Sequence, residues 1–333
     1  MLFHNLPRDK NLLLEDDPKG NFVAIQSLKT FRRVHKDFQP KPSDIYISTY
    51  PKNGTTWTVA LTDHLLKLKN ANHKTPEGIA VGFNLSSCPW IEVLAKSDEL
   101  WPVSLNYFSE IPEPRVFKTH STEGLIPETA GCRKRIIQVM RNPLDTFVSS
   151  WHHIYGKAGY QGSFDRFFEK VVLTNSFENG SWFEYHEEFF TASEQGKIEV
   201  LFLKYEDMKI DDGMDAVSKI ADFIDLGCEF DAEKIAKECS FKKMKAISNK
   251  HGIASIKSIQ VKQEVEGLKF AEIDPGTKNK PSNAHIRKEI VGDWKNYYNQ
   301  EQLEQWEKYV DEACLKYPKT SKFFGRDYFM GVI

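Results

Sequence analysis

The 333-residue chain lacks the cysteine pattern of a disulfide framework or a metal knuckle. Its five cysteines, Cys88, Cys132, Cys228, Cys239 and Cys314, are odd in number and widely scattered. They form no C-x-x-C, and none stands at metal-ligand spacing from the ten histidines. Reduced thiols in an intracellular protein without a bound metal are the expectation. An excess of charge of one sign is missing as well. Lys and Arg number 45 against 47 Asp and Glu, a formal charge of −2. Nothing therefore draws the whole molecule to nucleic acid or an acidic membrane, and any anion site must be local. No apolar run reaches the roughly 18 residues of a membrane helix, and residues 1–17 are too polar for a signal peptide. Internal repeats and low-complexity linkers are also absent.

What the chain has in quantity is apolar and aromatic surface. Hydrophobic residues make up 40%, with 23 Phe, 12 Tyr and 7 Trp. That is ample for the core of one large α/β domain or two small ones, with aromatics to spare for an apolar pocket. Short β-rich runs at 45–49, 115–118, 135–140 and 199–204 alternate with helical patterns at 55–69, 143–155, 182–190 and 213–226. In the last of these, Met214, Val217, Ile220, Ala221 and Ile224 form one apolar face. The alternation predicts an α/β fold with a central, mostly parallel sheet and helices on both faces. A single domain over 37–333 follows a variable leader at 1–36. Residues 245–284 turn polar and rich in Gly and Lys, either as a lid or as a plain solvated loop.

Ligands of such sheets bind beyond the carboxyl ends of the strands, and the first three strands each run into a motif. After the first comes Tyr50-Pro51-Lys52-Asn53-Gly54-Thr55-Thr56-Trp57. A strand, a tight turn with Gly and Lys, and a helix start together make an anion cradle. The N–H groups of the helix's first turn point at the ligand, and the dipole favours negative charge. Lys52 adds a mobile charge, Thr55 and Thr56 add hydroxyl donors, and Gly54 lets the backbone approach an oxyanion. This P-loop-like segment is not a Walker A loop, which needs two glycines with the Lys after the second. The second strand ends at Lys118-Thr119-His120, where an imidazole can take a proton from a bound hydroxyl. The third leads to Arg141-Asn142-Pro143-Leu144-Asp145. Asn142 suits an N-cap, Pro143 the first helical position and Asp145 the first turn. Helix initiation leaves Arg141 and Ser149 unexplained.

In order and spacing, over about residues 37 to 297, these segments resemble the cytosolic sulfotransferases. The loop is similar to that family's phosphosulfate-binding Y-P-K-S-G-T-T-W, with Asn53 for Ser. Pro114-Arg115-Val116-Phe117-Lys118-Thr119-His120 resembles P-R-x-x-K-T-H, with Ser121-Thr122 in place of the following Leu-Pro. Arg141 to Ser149 matches R-N-x-x-D-x-x-x-S. The stretch from Arg287 to Lys295 resembles R-K-G-x-x-G-D-W-K, with Glu289 for the first Gly. Tyr205-Glu206-Asp207-Met208 matches Y-E-D-M, and Cys239-Ser240-Phe241-Lys242-Lys243-Met244 resembles T-S-F-K-x-M with Cys for Thr. Gly180-Ser181-Trp182 matches as well, with its Trp expected in the core.

The resemblance implies use of 3′-phosphoadenosine 5′-phosphosulfate (PAPS) without a metal. It makes His120 the catalytic base, with Lys52 and Lys118 holding the transferring group beside Asn53, Gly54, Thr55 and Thr56. Trp57, Tyr205, Ser240 and Phe241 fall to the adenine, and Arg141, Ser149, Arg287 and Lys288 to the 3′-phosphate. Phe83, Trp90, Ile91, His153 and Phe183 are the candidate walls for a small, lipophilic or phenolic acceptor. The family's dimer motif K-x-x-x-T-V-x-x-x-E survives only at Lys295 and Glu304, because Asn299-Gln300 replaces its apolar centre. A monomer or a different homodimer is therefore expected. Golgi relatives carry a membrane anchor, and without one the expected place is the cytoplasm. Two alternatives stand beside this reading. One is a relative that binds the nucleotide without productive transfer. The other is an ATP-dependent small-molecule kinase, which would need a Walker A loop and a carboxylate for magnesium.

Overall fold

A computed structural model describes residues 28–70, 88–96, 98, 100–157, 162–177, 179–251, 288 and 290–332. Among them, β1 (Ile45–Thr49), β2 (Val116–Thr119), β3 (Lys134–Met140) and β4 (Ile198–Lys204) form a parallel sheet in the order β2-β1-β3-β4. Ile47 stands in register between Lys118 and Ile137, and Lys134 opposite Ile198. Helices run around the sheet. In the first half of the chain they are α1 (Leu28–Asp37), α2 (Thr55–Lys69), α3 (Ile91–Ala95), α4 (Leu100–Glu110), α5 (Pro143–Lys157) and α6 (Phe164–Phe167). Next come α7 (Trp182–Glu194), α8 (Tyr205–Ile210), α9 (Met214–Phe223), α10 (Ala232–Glu238) and α11 (Phe241–His251). Last are α12 (Gln300–Lys316), α13 (Pro318–Phe324) and α14 (Arg326–Phe329). No helix among the described residues is long and apolar enough to cross a membrane.

The strands read as near-continuous apolar runs because both faces are covered. Alternate residues divide between two cores. Ile45, Ile47, Val116, Ile137 and Val139 pack with α2, α9 and α10. Tyr46, Phe117 and Ile136 pack on the other face with α1, α3, α4, α5, α7 and α12. From β1 the chain moves to one side, to β2; from β3 it moves to the other, to β4. Those directions part at the carboxyl ends of β1 and β3, the kind of switch point at which open α/β sheets bind ligands.

The expected strands and helices are found, with ends shifted by one to a few residues. The leader is corrected. Residues 28–36 belong to the domain, because α1 buries Phe31 and packs Val34 into the second core. Of the segment 245–284, residues 245–251 complete α11, and the rest lies outside the described residues, as do residues 1–27.

One buried ion pair anchors the edge of this layer. Arg115 Nε and Nη2 donate to the two carboxylate oxygens of Asp44 at 2.7 and 2.6 Å. Nη1 and Nη2 also reach the carbonyls of Phe108 and Gln39 at 3.0 and 2.9 Å. The guanidinium carbon stands beside the Phe38 and Phe117 rings, 5.4 and 5.2 Å from their centres. Removing it strands a carboxylate away from water. Arg115→Ala should lower the urea unfolding free energy by about 3–5 kcal/mol. A loss below about 1 kcal/mol would show that the pair behaves as a surface contact.

Candidate active site

β1 ends at Thr49, and the next five residues turn the chain into α2. Lys52 has φ of +71° and Gly54 φ of +112°. The left-handed region costs a lysine on the order of 1–2 kcal/mol. At Gly54 a side chain is excluded outright, because a Cβ would meet the Tyr205 ring at 2.9 Å. Gly54 serves as the N-cap of α2, and no side chain caps the helix. That is the condition in which an anion can act as the cap.

His120 follows β2 and lies beside Thr49. Its Nδ1 is 2.8 Å from the Thr49 carbonyl. A carbonyl only accepts, so Nδ1 carries the hydrogen and Nε2 the lone pair. Burial holds the imidazole pKa down at about 3; the Lys118 and Lys52 cations push the same way, against the Thr49 carbonyl. The ring is therefore neutral and ready to accept a proton. Thr49 Oγ1 lies 3.3 Å from Nδ1 and 2.5 Å from Thr55 Oγ1, so base and cradle share one residue. Trp90, just ahead of α3, stands edge-on to His120 with centroids 5.0 Å apart. Lys118 Nζ lies over the same indole at 3.7 Å. On either side of His120, Thr119 Oγ1 and Ser121 Oγ both donate to Oε1 of the buried Glu92, the latter at 2.6 Å.

Arg141 links β3 to α5. Its Nη2 donates to the Ile290 carbonyl at 3.1 Å and lies 3.8 Å from Asp145. Its guanidinium carbon stands 4.5 Å from the Tyr205 ring centre. Asn142 caps α5 as expected, accepting the Leu144 N–H at 3.0 Å. Asp145 has a further role. Its carboxylate accepts the N–H groups of Gly292 and Trp294 at 2.7 and 3.0 Å, which fastens the 290–296 block to α5. Lys288 Nζ pairs with Asp293 at 3.2 Å. Asp145, Ser149 and His153 recur every four residues and so share one face of α5. The Trp57 and Tyr205 rings meet edge to face at 5.9 Å, and Phe241, at the start of α11 directly after Ser240, packs against the same core. Arg141 Nε and Trp57 Nε1 are buried donors without a hydrogen-bond partner among the described residues. Two such donors beside an uncapped helix and an edge-to-face aromatic pair fit an anionic adenine nucleotide.

Three expectations are corrected. The Asn53 side chain is wholly buried and bonded to Thr146 and His186, so it is no ligand at the cradle. Phe183 is wholly buried against Trp306, Tyr309, Tyr317 and Phe329, and walls no pocket; Ile91 is likewise in the core. Trp90 and His153 are half-buried. Phe83, Arg287 and Glu289 lie outside the described residues. Sequence reasoning missed Thr49, which acts through a backbone carbonyl and leaves no trace in residue type. It also missed Glu92, whose only signal is a carboxylate inside the apolar run from Cys88 to Ala95.

A family model for a sulfotransferase domain matches residues 42–318. Sulfotransferase 1B1 of Mus musculus is 28% identical over 276 residues, which cover 82% of this chain and 83% of that one. Cytosolic sulfotransferase 5 of Arabidopsis thaliana is 28% identical over 318 residues, 90% of this chain and 89% of that one. The structure of mouse sulfotransferase SULT7A1 complexed with PAP aligns with a TM-score of 0.59 at 23% identity, covering 91% of this chain and 95% of that one. Retinol dehydratase in complex with androsterone and inactive cofactor PAP gives 0.61 at 20% identity, covering 86% and 85%. These two likenesses show a shared fold. The matched span runs from ahead of β1 to the start of α13 and contains every strand end that carries a site residue, so the chain belongs to the sulfotransferase family.

Proposed function

We propose that the chain transfers the sulfuryl group of PAPS to a hydroxyl or amine of a small, lipophilic or phenolic acceptor, with His120 as general base. One observation carries this: three neighbouring parallel strands deliver the Lys52 loop, the neutral His120 and Arg141 to the same edge of the sheet. PAPS, when bound, supplies the activated sulfuryl group. His120 Nε2 takes the acceptor's proton, and the Thr49 carbonyl steadies the charge that then forms on the ring. Lys52, Lys118 and the start of α2 stabilise negative charge at the transferring and leaving groups. Each preorganised donor of this kind contributes roughly 3 kcal/mol. Arg141, Ser149, Arg287 and Lys288 take the 3′-phosphate, for which a guanidinium fork is suited. Trp57, Tyr205, Ser240 and Phe241 enclose the adenine. Trp90 and His153 border the acceptor, and the indole beside His120 favours a flat aromatic alcohol.

The printed names of relatives, among them two cytosolic sulfotransferases of Arabidopsis thaliana, and five cysteines without a disulfide support a cytoplasmic setting. Asn299 caps α12 in a reciprocal capping box with Gln302, at 2.8 and 3.0 Å, which supports a monomer or a dimer of another type.

His120→Ala should leave affinity for 3′-phosphoadenosine 5′-phosphate (PAP) unchanged and cut transfer by about 10²–10⁴-fold. Near-normal turnover would remove His120 from the role. The free protein's imidazole keeps its base form at any pH above about 3. The profile of kcat/KM for PAPS should therefore stay level from pH 8 down to about 5, with no acid limb from this residue. A limb centred near the ordinary histidine value of about 6.5 that vanishes in a His120 variant would contradict the buried, neutral ring. Arg141→Ala should weaken PAP roughly thirty-fold and spare ADP, read by calorimetry. Equal losses for both nucleotides would put Arg141 elsewhere than at the 3′-phosphate.

A further inference from the structure

Asn53, Thr146 and His186 are all wholly buried, on the loop after β1, the first turn of α5 and the second turn of α7. Thr146 Oγ1 donates to Asn53 Oδ1 at 2.8 Å, and Asn53 Nδ2 donates to His186 Nε2 at 3.4 Å. The second bond needs an imidazole with a bare Nε2. Burial keeps His186 neutral, with its pKa near 3. The indole of Trp182 stands edge-on to the ring with centroids 4.2 Å apart. Thr146 Oγ1 also stands 3.4 Å from the Arg141 carbonyl, so the contact reaches the strand end that carries the guanidinium.

The loop has reason to need such a tether. Asn53 stands between Lys52 at φ +71° and Gly54 at φ +112°. A lysine leaves the left-handed region unless its surroundings hold it there. The Asn53 N–H is tied to the Tyr50 carbonyl at 3.2 Å, and Gly54 leads straight into α2. The amide side chain adds a hold of its own, with a donor and an acceptor on one rigid plane that engage two helices at once. A serine side chain is one bond shorter and carries a single oxygen, too little to keep both partners where they stand.

We infer that Asn53 is a positioning residue: its buried carboxamide fixes the Lys52 loop against α5 and α7 and thereby sets where the Lys52 cation stands relative to Arg141. This rests on the assignment of the loop to the sulfuryl group. Loss of the tether therefore costs transfer more than nucleotide binding, because the contacts for adenine and 3′-phosphate lie outside the loop, and only the 5′-phosphate end of the nucleotide meets it.

The test compares kcat at saturating PAPS with the dissociation constant of PAP. It uses the unaltered protein, Asn53→Ala, Thr146→Val and the double variant, each well below its melting temperature. Asn53→Ala should lower kcat roughly thirty-fold and change PAP affinity less than about threefold. Thr146→Val, which keeps shape and removes one tether, should lower kcat several-fold. The double variant should be no slower than Asn53→Ala, since both changes cut the same connection. A lower melting temperature with unchanged kcat would overturn the inference, as would equal losses of kcat and PAP affinity. If Asn53→Ala does not fold, Thr146→Val decides alone, and an unchanged kcat overturns the idea. Failure of the unaltered protein to bind PAP or transfer sulfuryl groups would sink the functional reading, and this inference with it, before any variant is compared.

Discussion

Buried positive charge is the constraint around which this site is arranged. Lys118 is 1% exposed, Arg141 is buried and Lys52 half-buried, and the strand order delivers all three to one edge of the sheet. Taking one cation out of water costs several kcal/mol, and gathering like charges adds to it. Opposite charge stands one layer behind. Glu92 interacts with Lys118, Asp145 lies 3.8 Å from Arg141, and Glu206 interacts with Arg141 from beyond Tyr205. None of these carboxylates is free to swing forward. Glu92 is held by Thr119 and Ser121, and Asp145 by the Gly292 and Trp294 amides. Glu206 is held by the Asn142 N–H at 2.9 Å and the Tyr328 hydroxyl at 2.8 Å. The cations are thus supported without being neutralised, and their field is left for an anionic ligand.

Burial first, and the same field second, set the state of the His120 imidazole. An imidazole among lysines, away from water, stays neutral, and a neutral ring is what proton abstraction requires. Thr49 completes the arrangement with two different atoms. Its carbonyl selects the tautomer that leaves Nε2 bare, while its hydroxyl meets Thr55 at the start of α2. A shift of the cradle therefore moves the base through a single residue of β1. Coordination of this kind cannot come from the loop alone, which contains two positive-φ positions and depends on its neighbours for shape.

The sheet was legible because strands buried on both faces write short, nearly unbroken apolar runs, and α2 because its apolar spacing starts directly after Gly54. The site's strand-end residues were legible for a related reason, since parallel sheets bring ligands to that edge. Direction was not legible. Asn53 stands between two residues whose positive φ angles decide where its side chain goes, and only the packed helices show that it goes inward. The resemblance makes Phe183 a pocket wall, but α7 turns it toward Trp306 and Phe329. Asp145 looked fully explained by helix initiation, because its actual partners lie 147 and 149 residues further on. α1 was hidden by charge. Its apolar residues Phe31 and Val34 are spaced for a helix, yet Arg32, Arg33, His35 and Lys36 surround them.

Charge coupling between the cradle and the base carries one more consequence. Lys118 and Lys52 depress the proton affinity of His120 as long as nothing offsets them. A polyanion in the cradle offsets both, so its binding raises that affinity. The base is therefore weakest in the free protein, where a proton would have no use, and strengthens once the donor is in place. Linkage makes the effect reciprocal: a protonated His120 holds the anion more tightly than a neutral one. In the proposed reaction the ring carries the acceptor's proton beside the product nucleotide after transfer, and each stabilises the other. In that reaction release of the product is coupled to loss of the proton, through the two lysines that add to burial in keeping the free ring neutral.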